Sequence, residues 1–264
     1  AHTHDHETCS VIYPTGQDSV ALQRIMAGAT YHRRQAVAAE GKAAEPAKPI
    51  FNSGEVYRFR VALLMTPEVL GDFANGDPAT VRAWWDRVEA ELNQYYRNDV
   101  GIELVLVKDE RLIMHENTTE YPIRDGSGSL VSESGTPIIN ALIGESSYDI
   151  GLMMSNGTGT LAWQAAPGGP ASPSQKARGF ARPIITTIAH EMGHLFGAKH
   201  THYISDGDFV EPGSGRSIMS YGSPRDFFAM SSIAAMRRTL RALNVYLTPD
   251  CDPEKADYSR NSDT

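Results

Sequence analysis

The spacing of apolar and polar positions changes period several times along the chain, and each change marks an element. Residues 56–65 begin by alternating, with Tyr57, Phe59 and Val61 separated by Arg58 and Arg60, and end in the apolar run Ala62-Leu63-Leu64-Met65. That pattern predicts a strand whose far end is buried on both faces. Asp77-Pro78 supplies a helix cap followed by proline at the first helical position. Val81, Trp84, Trp85, Val88, Leu92 and Tyr95 follow at three- and four-residue steps, predicting a long amphipathic helix over 78–98 with an aromatic core stripe. A second strand over 102–107 completes a strand–helix–strand opening. A short helix over 136–143 and a buried strand over 148–154 come next. Gly-, Pro- and Ser-rich flanks then surround Thr160-Leu161-Ala162-Trp163, which reads as a short strand near a sheet edge. Ile184, Ile185, Ile188 and Leu195 give a helix over 184–196 its buried side, and Ile233, Met236, Leu240 and Leu243 mark an amphipathic C-terminal helix after a loop-rich stretch.

Residues 1–49 read differently, as an extension. His2, His4 and His6 alternate in a polar terminus, where a solvated tail and a loose metal site are the two readings. A modest apolar set suggests a helix over 18–34, and residues 38–49 have the small, polar, proline-punctuated composition of a linker. A helical arm on a cleavable linker is what a short pro-segment looks like, and equally what a docking arm looks like. The expected organisation is this extension followed by a main domain over 50–264, with an upper part over 50–197 and a lower part over 198–264.

Composition narrows the class. The chain has 264 residues, 41% of them hydrophobic and 21% charged, as in ordinary globular proteins. A net charge of −8 with no basic cluster argues against nucleic acid as a partner. No run of eighteen apolar residues predicts a membrane span. The N-terminus has no signal-peptide core, as expected of a secreted chain whose signal has been removed, and equally of a trimmed one. Cys9 and Cys251 are the two cysteines, near opposite ends. A disulfide between them fits a secreted protein; a Cys9 thiolate occupying a metal's open position fits a latent enzyme; two free thiols are the third reading.

The chemistry concentrates in His190-Glu191-Met192-Gly193-His194-Leu195-Phe196-Gly197-Ala198-Lys199-His200. On a helix, His190 and His194 lie about 40° apart on one face and about 6 Å apart along the axis, close enough to share one zinc ion. Glu191 falls on the same side, where a general base for a metal-bound water belongs. Were the helix to continue, His200 would point about 240° away from His194. Gly197 removes that obstacle, because glycine takes the left-handed conformation that ends a helix and turns the chain back. Further on, Asp206, Asp208 and Glu211 offer carboxylates that suit calcium, or are a solvated acidic loop.

The extended motif resembles that of the metzincin clan of zinc metallopeptidases. Ser217-Ile218-Met219-Ser220-Tyr221 resembles the clan's Met-turn, with Met219 beneath the three histidines. Tyr221 is similar to the tyrosine that astacin-, serralysin- and pappalysin-like members place near the zinc, where it ligates the metal or stabilises an oxyanion. The layout resembles reprolysin-like and pappalysin-like bacterial members. Cys9 lies in no recognised cysteine-switch sequence, and most disulfide cysteines of venom-type reprolysins are missing.

The resemblance implies an α/β (α+β) fold: a mixed sheet, a long active-site helix, a backing helix, and a smaller loop-rich C-terminal subdomain ending in a helix. It implies a zinc endopeptidase with His190, His194 and His200 as ligands and Glu191 as base. An extended peptide or protein substrate would pair with an edge strand, for which Thr160 to Trp163 is the candidate. Two other readings compete, a zinc-retaining adhesion module without turnover and a zinc amide hydrolase acting on cell-wall peptides. The intact Glu191 argues against the first.

Overall fold

The computed structural model describes residues 8–12, 55–116, 131–156, 159–163, 173–202, 210–243 and 254–255. Its longest strand is β2 (Glu55–Met65). Its first half buries one face, Tyr57 and Phe59 inward and Arg58 outward, while Val61 to Met65 are buried throughout. The change of period in the sequence is therefore a change from one covered face to two. The outward arginines are paired: Arg58 with Glu103 at 2.8 Å, and Arg60 with Asp149 at 2.8 Å.

Strand β1 (Thr8–Ile12) lies at one margin of the sheet and β3 (Ile102–Leu106) at the other. Between them the order runs through β5 (Gly159–Trp163), β6 (Gly179–Ala181), β4 (Ile150–Met154) and β2. Strands β3, β2, β4 and β6 run parallel, β5 is antiparallel to β6, and β1 is parallel to β5. A two-residue β7 (Glu254–Lys255) pairs antiparallel with the start of β2.

Helices α1 (Pro67–Ala74) and α2 (Pro78–Tyr95) link β2 to β3. The cap expected at Asp77 is formed: its carboxylate accepts from the backbone N–H groups of Ala79 and Thr80. The expected stripe of α2 is buried at Val81, Trp84, Trp85, Val88 and Leu92. The helix differs from expectation at its end, where α-helical geometry stops at Tyr95 and one π-helical turn (Tyr96–Val100) carries the chain into β3. Helix α3 (Gly135–Ile143) packs on β2 and β4. Helix α4 (Ile185–Leu195) lies against α2 and the β5–β6 side of the sheet. Helix α5 (Met230–Leu243) ends the lower part and is tied to the π turn, with Arg237 donating to the Val100 carbonyl at 3.1 Å.

This is the mixed α/β, metzincin-like architecture expected. Three details correct the sequence reading. Helix α1 and strand β6 were not anticipated. Ile184 is not on the buried side of its helix: it is the N-cap residue, 40% exposed, and the buried face starts one turn later. The edge strand β5 is flanked on its outer side by β1, so part of the extension joins the sheet. The helix expected over 18–34 and the linker over 38–49 lie outside the described residues. Among the described residues no helix is long and apolar enough to cross a membrane.

Candidate metal centre and active site

Helix α4 carries the first two histidines because its whole second half is interior. Residues 187 to 195 are all buried, including His190, Glu191 and His194. An imidazole or carboxylate is rarely placed so deep without a partner that justifies its desolvation. The helix ends where the motif predicts. Gly197 adopts φ 101°, its N–H bonds the His194 carbonyl at 2.8 Å, and Ala198 N–H bonds the Gly193 carbonyl at 2.9 Å. That reversal brings His200, itself buried, back under the helix.

The three Nε2 atoms converge. His190 to His194, His190 to His200 and His194 to His200 are each separated by 3.2 Å. Three nitrogens bound to one tetrahedral zinc at ~2.0–2.1 Å stand ~3.3–3.4 Å apart, so the triangle has the dimensions of a zinc site. Outer contacts fix the rings. His190 Nδ1 lies 2.6 Å from the Ile218 carbonyl and His194 Nδ1 2.9 Å from the Ala198 carbonyl. A carbonyl only accepts, so each Nδ1 carries the proton and each Nε2 lone pair faces the triangle. Burial, reinforced by the neighbouring His194 and His200 rings, holds the His190 imidazole well below its usual range, in the neutral form a metal requires.

Glu191 is fully buried next to the triad. Its charge adds to burial in raising the phenol of Tyr96 well above its ordinary value. Ser217 to Ser220 form a tight turn closed by the Ser220 N–H on the Ser217 carbonyl at 3.0 Å. Met219, within it, is packed so closely under α4 that a Cβ added at Gly193 would sit 2.4 Å from its sulfur. The Tyr221 hydroxyl is 3.2 Å from His200 Nε2, the same separation as among the three imidazole nitrogens. The sequence reading missed His202, a largely buried ring 4.5 Å from that of Tyr221 and 5.6 Å from that of His200. Its only signal was its place two residues after the third histidine.

The structure thus brings together His190, His194, His200, Glu191, Met219 and Tyr221. Of the cysteines, Cys9 is located by its backbone, in β1 opposite Thr160 of β5; Cys251 lies outside the described residues. So do Asp206 and Asp208. Glu211 is described, and both its carboxylate oxygens accept hydrogen bonds from Thr201, Arg216 and Ser217.

A reprolysin family model, described as metallo-peptidase family M12, matches residues 56–231. No curated protein matches the chain. A solved structure of a chaperone–substrate complex is similar with a TM-score of 0.52 and 16% identity, over 73% of this chain and 35% of that one. The present chain therefore spans about a third of that protein's length, and the likeness concerns the fold.

Proposed function

Because the chain belongs to metallo-peptidase family M12, we propose that it is a secreted zinc endopeptidase, with Glu191 as its proton shuttle and residues 1–49 as a pro-segment. The observation that carries this reading is the triangle of buried Nε2 atoms at 3.2 Å with a buried carboxylate beside it on the same helix. His190, His194 and His200 would hold the metal. Zinc bound there supplies Lewis-acid polarisation and acidifies a water molecule.

The chain's own groups do the rest. Glu191 accepts a proton at its carboxylate as the water oxygen bonds to the peptide carbonyl carbon. It returns that proton to the nitrogen as the C–N bond breaks. Its buried position strengthens both transfers, because charge is poorly screened there. The Tyr221 hydroxyl, beside the triad, donates a hydrogen bond to the oxyanion that develops on the carbonyl oxygen. Substrate binds extended beside β5, whose backbone supplies main-chain hydrogen bonds. The parallel pairing of β1 along β5 supports the pro-segment reading, since it occupies the same strand. Export is included because two cysteines near opposite ends suit an oxidising compartment.

The test is metal analysis together with cleavage of casein and a quenched peptide library. The purified chain should carry about one zinc per molecule. Glu191→Ala should keep the metal and lose at least about a thousandfold in cleavage rate. Folded, zinc-loaded protein lacking residues 1–49 that cleaves no peptide would remove the protease assignment.

A further inference from the structure

Glu211 reaches neither the triad nor Glu191, yet it joins the two segments that shape the metal centre. Its Oε1 accepts the backbone N–H groups of Arg216 at 2.9 Å and Ser217 at 3.0 Å. Its Oε2 accepts the hydroxyls of Ser217, at 2.5 Å, and Thr201. The two hydroxyls lie 3.1 Å apart, and both residues are fully buried. Thr201 directly follows the third histidine. Its N–H donates to the Met219 carbonyl at 3.1 Å, and its carbonyl accepts from Val210 at 2.9 Å and Glu211 at 3.1 Å. Ser217 directly precedes Ile218, whose carbonyl orients His190.

We infer that Glu211 is a positioning residue for the metal centre: one carboxylate clamps Thr201 to Ser217 and so fixes both His200 and the carbonyl that orients His190. The inference rests on the metallopeptidase reading above. Four donors converge on one carboxylate, and its loss costs each of them that acceptor. Burial pushes the Glu211 carboxyl up, but the hydrogen bonds from Ser217, Thr201 and the two backbone amides outweigh it and hold the group below its usual range. The ionised form is therefore the one the clamp selects. Calcium is not needed to explain this acid.

The experiment compares the full-length chain with Glu211→Gln and Thr201→Val. Zinc affinity is measured by chelator competition, ligand geometry by the visible spectrum of the cobalt-substituted protein, and fold by far-UV circular dichroism. Glu211→Gln puts an amide N–H₂ among donors, and zinc affinity should fall about 10–100-fold with an altered cobalt spectrum. Thr201→Val, which removes a single donor, should show the same change in smaller measure and keeps the test available should Glu211→Gln fail to fold. Thermal destabilisation with zinc affinity within twofold of wild type and an unchanged spectrum, in whichever variant folds, overturns the positioning role. A wild-type chain that binds neither zinc nor cobalt overturns the functional reading and the clamp with it, and is told apart by that control alone.

Discussion

Gly193 shows how much a single hydrogen atom is worth at the centre of this site. Alanine is the better helix former by up to about 1 kcal/mol. Here its methyl would stand 2.4 Å from the sulfur and 3.2 Å from the terminal carbon of Met219, which is itself fully buried. Overpacking of that kind costs about 1–3 kcal/mol, so the clash outweighs the helix gain. Gly193→Ala should lower the unfolding free energy of the metal-free protein by about 1–2 kcal/mol, as read by urea denaturation, whereas an unconstrained helix position would gain. Glu211 makes a second prediction at this scale. Its carboxyl is held below its usual range, so the stability it contributes is full above the ordinary value of 4.5 and is lost as pH falls through the lower folded value. The difference in melting temperature between wild type and Glu211→Gln should accordingly be constant near neutrality and shrink as pH falls from ~5 to ~3; a gap that widens on acidification contradicts the assignment. These two residues mark the limit of sequence reading. Gly197 was legible because one dihedral decides whether His200 can join the triad, and φ 101° is what the motif requires. Gly193 and Glu211 act through side-chain contacts with Met219, Thr201 and Ser217 that no periodic spacing records.

At the scale of elements, the long period-bearing segments were legible and the short ones were not. The start of α2 and its buried stripe follow from a cap and about five turns of regular apolar spacing. Strand β6 has three residues and α1 eight, too few for a period to stand out. The π turn after α2 was also invisible, yet it makes a buried hydrogen bond to the active-site helix. Within it, Tyr96 is fully buried, packs its ring 4.9 Å from that of Phe228 and 5.8 Å from that of Phe196, and donates its hydroxyl to the Ala189 carbonyl at 2.7 Å. Ala189 immediately precedes His190. Asp99, in the same turn, accepts from the Phe228 backbone at 2.8 Å and so anchors the lower part. Tyr96→Phe keeps the ring packing and removes one buried hydrogen bond, so it should cost about 0.5–1.5 kcal/mol in chemical denaturation while leaving zinc stoichiometry at wild-type level. Tyr96→Ala removes the packing as well and should cost about 3–5 kcal/mol. A negligible effect of both would mean that α4 is held by the sheet and α2 without help from the π turn.

For the whole molecule, the decisive relation is between the extension and the sheet. The expected division into an extension and a main domain was read from composition, whereas the β1–β5 contact joins segments far apart in the chain, and Thr8-Cys9-Ser10-Val11-Ile12 carries no alternation that announces a strand. The sheet order places it beside β5, with Cys9 opposite Thr160 and Ile12 opposite Trp163. A strand bound in this way uses backbone groups of β5 that the proposed extended substrate would need. As the proposed pro-segment, tethered to the sheet it pairs with, it would compete at an effective concentration on the order of millimolar. On that reading a short peptide of ordinary affinity would be outcompeted until the tether is cut, after which the same segment would dissociate and be diluted. Removal of residues 1–49 should therefore raise kcat/KM on short peptides by about tenfold or more, with zinc content and far-UV circular dichroism unchanged. A synthetic peptide spanning residues 5–16, added in trans, should restore inhibition only at about the concentration that the tether had supplied. Replacing Ser10 by proline in the intact chain removes a backbone donor from the middle of β1 and should mimic the truncation in part. Equal rates for the intact, truncated and proline-bearing chains would show that β1 leaves the substrate strand accessible, and would make the extension a docking arm.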